Sequence, residues 1–207
     1  MNQRGNDVIF ERKHDTLDAS QVVDELLAGH PIHLEQCRIK GTMDLNAALA
    51  EAPAERDDTV SRSITLTQDI HFNNCIFEED VAFSGPWENT ESLRVIFKGD
   101  VRFNMSVFSG QARFIGATFE KAAGFDGCIF QRVCAFREAV FGGRTLIRTV
   151  MFDGYVLFNK AQFVEDARFI NTCFSKGANF TETLFHRKAD FQGVYSRGRI
   201  IPQIEGV

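Results

Sequence analysis

His30, His33 and Cys37 lie close together in the chain, and His71 lies near Cys75; imidazole and thiolate side chains so grouped are what a zinc site uses. The other chemistry-bearing signatures are missing. No Ser, His and Asp set of recognised spacing occurs, nor a GxSxG turn, a phosphate-binding glycine loop or a zinc-protease helix, and Gly142–Gly143 is only a turn signal. Whether the His and Cys groups can converge on an ion depends on the elements that hold them.

Those elements declare themselves through phenylalanine. From Phe97 to Phe191 a large apolar residue returns at intervals that alternate between six and five: Phe97, Phe103, Phe108, Phe114, Phe119, Phe125, Phe130, Phe136, Phe141, Ile147, Phe152, Phe158, Phe163, Phe169, Phe174, Phe180, Phe185 and Phe191. A helical face repeats every three or four residues and a half-buried strand every two, so neither explains the run. A fixed repeat of eleven built from five and six is the mark of a solenoid.

Two before each large residue stands a small or β-branched one, such as Ala112 before Phe114, Ala117 before Phe119, Cys128 before Phe130 and Thr183 before Phe185. Charged and amide side chains fill almost only the remaining positions, as a wall facing water requires. This register sends Cys37, Cys75, Cys128 and Cys134 inward as compact hydrophobes and Cys173 outward, while His33 and His71 point away from their neighbouring thiols. The metal reading therefore fails, and inward thiols suit a reduced, cytoplasmic setting.

The unit of a small residue at i−2 and Phe or Leu at i resembles the pentapeptide-repeat proteins, and most closely their phenylalanine-rich branch with alternating five- and six-residue steps. The resemblance implies an all-β solenoid, a right-handed quadrilateral β-helix whose four sides of five, six, five and six residues make twenty-two per coil. It also implies that Phe114, Phe136, Phe158 and Phe180 form one stacked ladder and Phe108, Phe130, Phe152 and Phe174 another. A narrow, filled interior leaves no large concave pocket, so neither a catalytic residue nor a cofactor or metal site is expected.

Along the chain, residues 1–31 read as a polar lead-in followed by a short capping helix. Leu17, Val22, Val23, Leu26 and Leu27 mark its apolar face, Asp15 or Thr16 its N-cap and Gly29 its stop. Residues 32–199 form the solenoid, interrupted by insertions near 46–60 and 84–92, and residues 200–207 a C-terminal tail. No apolar leader segment and no long apolar stretch occur, so neither a cleaved signal nor a membrane span is expected.

Charge divides the chain. Residues 1–100 hold 9 Lys or Arg against 19 Asp or Glu, whereas residues 101–199 hold 14 against 8. On the coil Lys121, Arg132, Arg144, Lys176, Arg187 and Lys188 scatter over different sides, which disfavours direct nucleic-acid binding. The reading that results is a non-catalytic scaffold for a protein partner. Its candidate contact residues are Trp87 in the second insertion and Arg197, Arg199, Ile200 and Ile201 at the uncovered C-terminal coil, which could also join two copies in a homodimer. Some pentapeptide-repeat proteins imitate duplex DNA and inhibit or protect type II topoisomerases such as DNA gyrase. Here only the N-terminal half, with Asp57, Asp58, Glu78, Glu79 and Asp80, carries the sign that such mimicry needs.

Overall fold

A computed structural model describes residues 8–50, 62–87 and 93–201. Short strands stack in parallel into four walls, two of eight strands, one of seven and one of six. The first wall runs from β1 (Phe10–Lys13) to the strand Ala189–Asp190 and the second from β2 (Thr16–Asp18) to Tyr195–Ser196. The third runs from Met43–Asp44 to Arg199–Ile201 and the fourth from Arg62–Leu66 to Leu184–Phe185. Each regular strand pairs with the one a coil later, as in Phe108↔Phe130 and Ala112↔Cys134, so the coil is twenty-two residues long, as the resemblance implies.

The alternation of five and six arises at the corners. In a five-residue step the carbonyl of the large residue accepts a hydrogen bond from the N–H three residues on, as Phe103 does from Ser106 at 3.2 Å. The residue between them, Met105, has φ 55°, which makes the corner a type II turn. Gly116, Gly127, Glu138, Thr149, Lys160, Asn171, Glu182 and Gly193 occupy the same corner position in succession, all with positive φ. The six-residue steps carry one more residue round the other two corners, and there the backbone can pass very near the coil below: a Cβ added to Gly154 would sit 2.0 Å from the Arg132 carbonyl oxygen.

The interior is filled by rings. Phe83, Phe114, Phe136, Phe158 and Phe180 form one column, with centroids 5.4, 5.1, 5.1 and 4.9 Å apart. Phe77, Phe108, Phe130, Phe152 and Phe174 form a second, at 4.7, 4.5, 5.0 and 5.4 Å. These spacings follow the strand separation of about 4.8 Å. Burial of each ring contributes roughly 1.5–3 kcal/mol and each stacked or edge contact about 0.5–1.5 kcal/mol more.

At the N-terminal end the solenoid starts before the lead-in reading places it. β1 and β2 already form two sides of a coil, with Phe10↔Ile32 and Leu17↔Ile39 in register. The pattern hides this coil because Arg12 takes the inward position above Leu34 that later holds Phe. Helix α1 (Ala19–Leu27) takes the place of the other two sides and packs against Met43–Asp44, the first strand of the third wall. It begins after Asp18 rather than at Asp15 or Thr16, which are a connecting residue and part of β2. Ala19, Val22, Val23 and Leu26 are buried, Gly29 follows the helix at φ 82°, and the Gln68 side-chain amide donates to the Leu26 carbonyl at 2.7 Å. A second helix, α2 (Leu45–Ala50), follows the third-wall strand Met43–Asp44, and the rest of the first insertion lies outside the described residues.

Candidate interaction surfaces

The inward thiols have a specific structural duty. Cys37, Cys75, Ser106, Cys128 and Thr172 occupy one inward column of small residues. Each donates its S–H or O–H to the carbonyl of a large-position residue one coil earlier: Arg12, Leu34, Phe72, Phe103 and Ile147. Burial pushes the Cys75 thiol up to about 11 and the Cys128 and Cys134 thiols higher still. A thiolate nucleophile or metal ligand needs the opposite shift. The repeat register places Cys37, Cys75 and Cys128 inward, where they are expected as hydrophobes; the recurrence of Cys, Ser and Thr at one coil position was the available signal of a donor.

His33 and His71 point outward as expected, and their strands pair them directly, with rings stacked at 5.0 Å and 6°. Burial, then the proximity of His33 and Arg102, holds the His71 imidazole below its usual range. His30 is elsewhere, its Nδ1 against the Glu25 carboxylate. Among the described residues no group of three or more His, Cys, Asp and Glu side chains could hold a metal ion. A surface hollow of about 390 Å³ lies between α1 and α2 and is lined by Val23, Asp24, Leu27, Thr42, Asp44 and Ala48 among others.

Trp87 lies on the third wall, 36% exposed. Its indole N–H donates to the Gln111 side-chain oxygen at 3.1 Å, and the Arg113 guanidinium stands 5.9 Å from its ring centre. Arg113 in turn faces the Asp44 carboxylate at 3.4 Å. The tryptophan is thus held to the wall with one part of its ring left in water, while residues 88–92 of its insertion lie outside the described residues.

At the other end Phe185, Phe191 and Val194 are only partly covered, whereas their counterparts one coil earlier, Phe163, Phe169 and Thr172, are fully buried. Leu184 and Tyr195 are half exposed. Arg197 Nε donates to the Tyr195 hydroxyl at 3.1 Å, and Arg199 opens the last strand of the third wall, in which Ile200 and Ile201 pair with Ala178 and Asn179. Trp87 and this group stand on different coils, so the structure does not bring the candidate contact residues together.

The basic half carries its own counter-charges. Arg148 binds the Asp126 carboxylate, and Arg187 lies 3.2 Å from Glu165. In the acidic half Arg38 holds Glu78, the Thr42 hydroxyl donates to Glu79, and Asp80 accepts the Gln111 N–H. Asp57 and Asp58 lie outside the described residues.

Four parallel walls of two-residue strands around a ring-filled interior, turning every twenty-two residues, define a quadrilateral β-helix. Residues 93–129 and 125–183 match the family model described as pentapeptide repeats, in nine copies, so this part of the chain is built of pentapeptide repeats. No match was found among curated proteins or among solved structures. Among the described residues no helix is long and apolar enough to cross a membrane.

Proposed function

We propose that this chain is a non-catalytic, cytoplasmic scaffold that presents side chains on rigid walls to a protein partner. The filled interior carries the reading: Phe103 through Phe174 at the large positions are at most 1% exposed, so the outward residues alone are left to act. Trp87 and the C-terminal coil with Arg197, Arg199, Ile200 and Ile201 are the proposed contact points, the latter also for a second copy. An aromatic anchor beside an arginine suits a binding hot spot. A reduced compartment fits four thiols used one by one as inward donors or fillers.

The test is capture from the native cell with the intact chain, a Trp87→Ala variant and an Arg197→Glu/Arg199→Glu variant, each checked for retained folding. A partner held by the intact chain and lost with one variant supports the scaffold. Equal capture by all three overturns the proposed surfaces, and turnover of a substrate by the purified chain overturns the non-catalytic reading. The DNA-mimic alternative rests on the acidic N-terminal half and predicts inhibition of gyrase supercoiling at low concentration. Direct nucleic-acid or anionic-lipid binding predicts salt-sensitive retention on heparin or acidic vesicles.

A further inference from the structure

The two ends of the solenoid are unlike in charge and alike in backbone. At the N-terminal end, residues 8–30 carry Glu11, Asp15, Asp18, Asp24 and Glu25 against only Arg12 and Lys13. At the C-terminal end, residues 184–201 carry Arg187, Lys188, Arg197 and Arg199 against only Asp190. Among the described residues, both ends present strand edges on the first and second walls: β1 and β2 begin these sheets, and Ala189–Asp190 and Tyr195–Ser196 end them. Val8 and Ile9 are exposed at one end, and Leu184 and Tyr195 at the other.

Continuing the coil register across such a junction pairs particular side chains. On the second wall the strand Tyr195–Ser196 would meet β2, which puts Arg197 against Asp18 of the next molecule, since Asp18 pairs in register with Lys40 at the same corner. On the first wall the partly covered ring of Phe191 would meet Arg12, which occupies the same inward column and whose guanidinium already lies 4.6 Å over the Phe10 ring. A guanidinium on an aromatic face is a favourable contact. One pair opposes it, Asp190 against Glu11. A two-fold contact between C-terminal ends would instead bring together two rims of one sign and turn the strand pairing antiparallel.

We infer that the C-terminal coil binds the N-terminal coil of a second copy, head to tail, so that the first and second walls continue from one molecule into the next. This rests on the scaffold reading of the C-terminal coil and names its partner. A heterologous contact of this kind does not close on itself and grows into open chains. It draws on opposite net charge, so it weakens with salt.

Sedimentation velocity and light scattering on the full chain, over a wide concentration range at low and high salt, test it. The expected result is a mass that rises past the dimer with concentration and falls with salt. Asp18→Arg alone and Arg197→Glu alone should each weaken association by about tenfold or more, and a chain carrying both should recover it. The recovery separates a lost contact from a lost fold, since both side chains are exposed. A monomer at every concentration overturns the inference. So does a mass that stops at two and tightens with Arg197→Glu, which is the signature of a C-terminal homodimer. Neither outcome touches capture of a heterologous partner, which is read separately.

Discussion

Phe141 and Phe163 lie face to face one coil apart, with ring centres 4.7 Å from each other and planes 1° from parallel. Both are fully buried, and Phe141 has a second stacked neighbour in Phe119 at 5.0 Å. Phe141→Ala should therefore cost about 3–5 kcal/mol, the transfer and cavity terms together. Phe191→Ala, at a partly covered end with a single stacked ring, Phe169, should cost roughly half of that. Urea unfolding of the two variants beside the parent checks the ratio.

Ala139 tests the small inward positions in the opposite sense. It is fully buried between two large neighbours in sequence, Phe136 and Phe141, and Ala139→Leu should overpack the core at about 1–3 kcal/mol. Wild-type stability in that variant would mean that the interior can yield.

The corner residues make a prediction of the other sign. Thr149 holds φ 56° at a type II corner where Gly116, Gly127 and Gly193 stand in other steps, and it is exposed. A β-branched side chain is ill suited to that region. Thr149→Gly should stabilise the protein by up to about 1 kcal/mol, the relief of strain outweighing the added freedom of the unfolded chain. A fall in the thermal midpoint would show that the threonine side chain holds the corner in another way.

The buried thiols and His71 shape the pH profile. Cys75 ionises near 11 when folded, against about 8.5 in an unfolded chain. Between those values the unfolded chain has given up a proton that the folded chain keeps, so stability is full below about 8.5 and falls as pH rises towards 11. Cys128 and Cys134 add to the same slope. His71, held low by burial, works on the acid side: below about 6.5 the unfolded chain takes a proton that the folded chain resists, so stability falls with falling pH. Urea midpoints across this range should trace a plateau with two falling limbs. Cys128→Ser, which keeps a donor for the Phe103 carbonyl, should flatten the alkaline limb.

The walls, the coil length and the ladders were legible because every inward position obeys one rule and the rule repeats. Legibility ended where other physics took over. β1 escaped notice because Arg12 stands where the rule asks for Phe, at an end that faces water. The start of α1 was misplaced because Thr16–Asp18 completes a strand of the second wall before the helix begins. The pairing of His33 with His71 was hidden by the first insertion, which sets them thirty-eight positions apart in the chain yet adjacent in the coil. The contact surfaces were least legible of all, since outward positions are free of the repeat and nothing in its period says which of them a partner reads.

The two kinds of corner have an outcome that reaches beyond stability. Because a tight turn and a longer bend alternate without fail from Phe97 to Phe191, side chains two repeats apart come to rest directly above one another on the same wall. The outside is thus a lattice with fixed addresses, in which, away from the tight corners, many residue types can be written at a chosen height and bearing without disturbing what lies beneath. Selection can redraw the message on such a surface one letter at a time, while the tube that carries it stays the same.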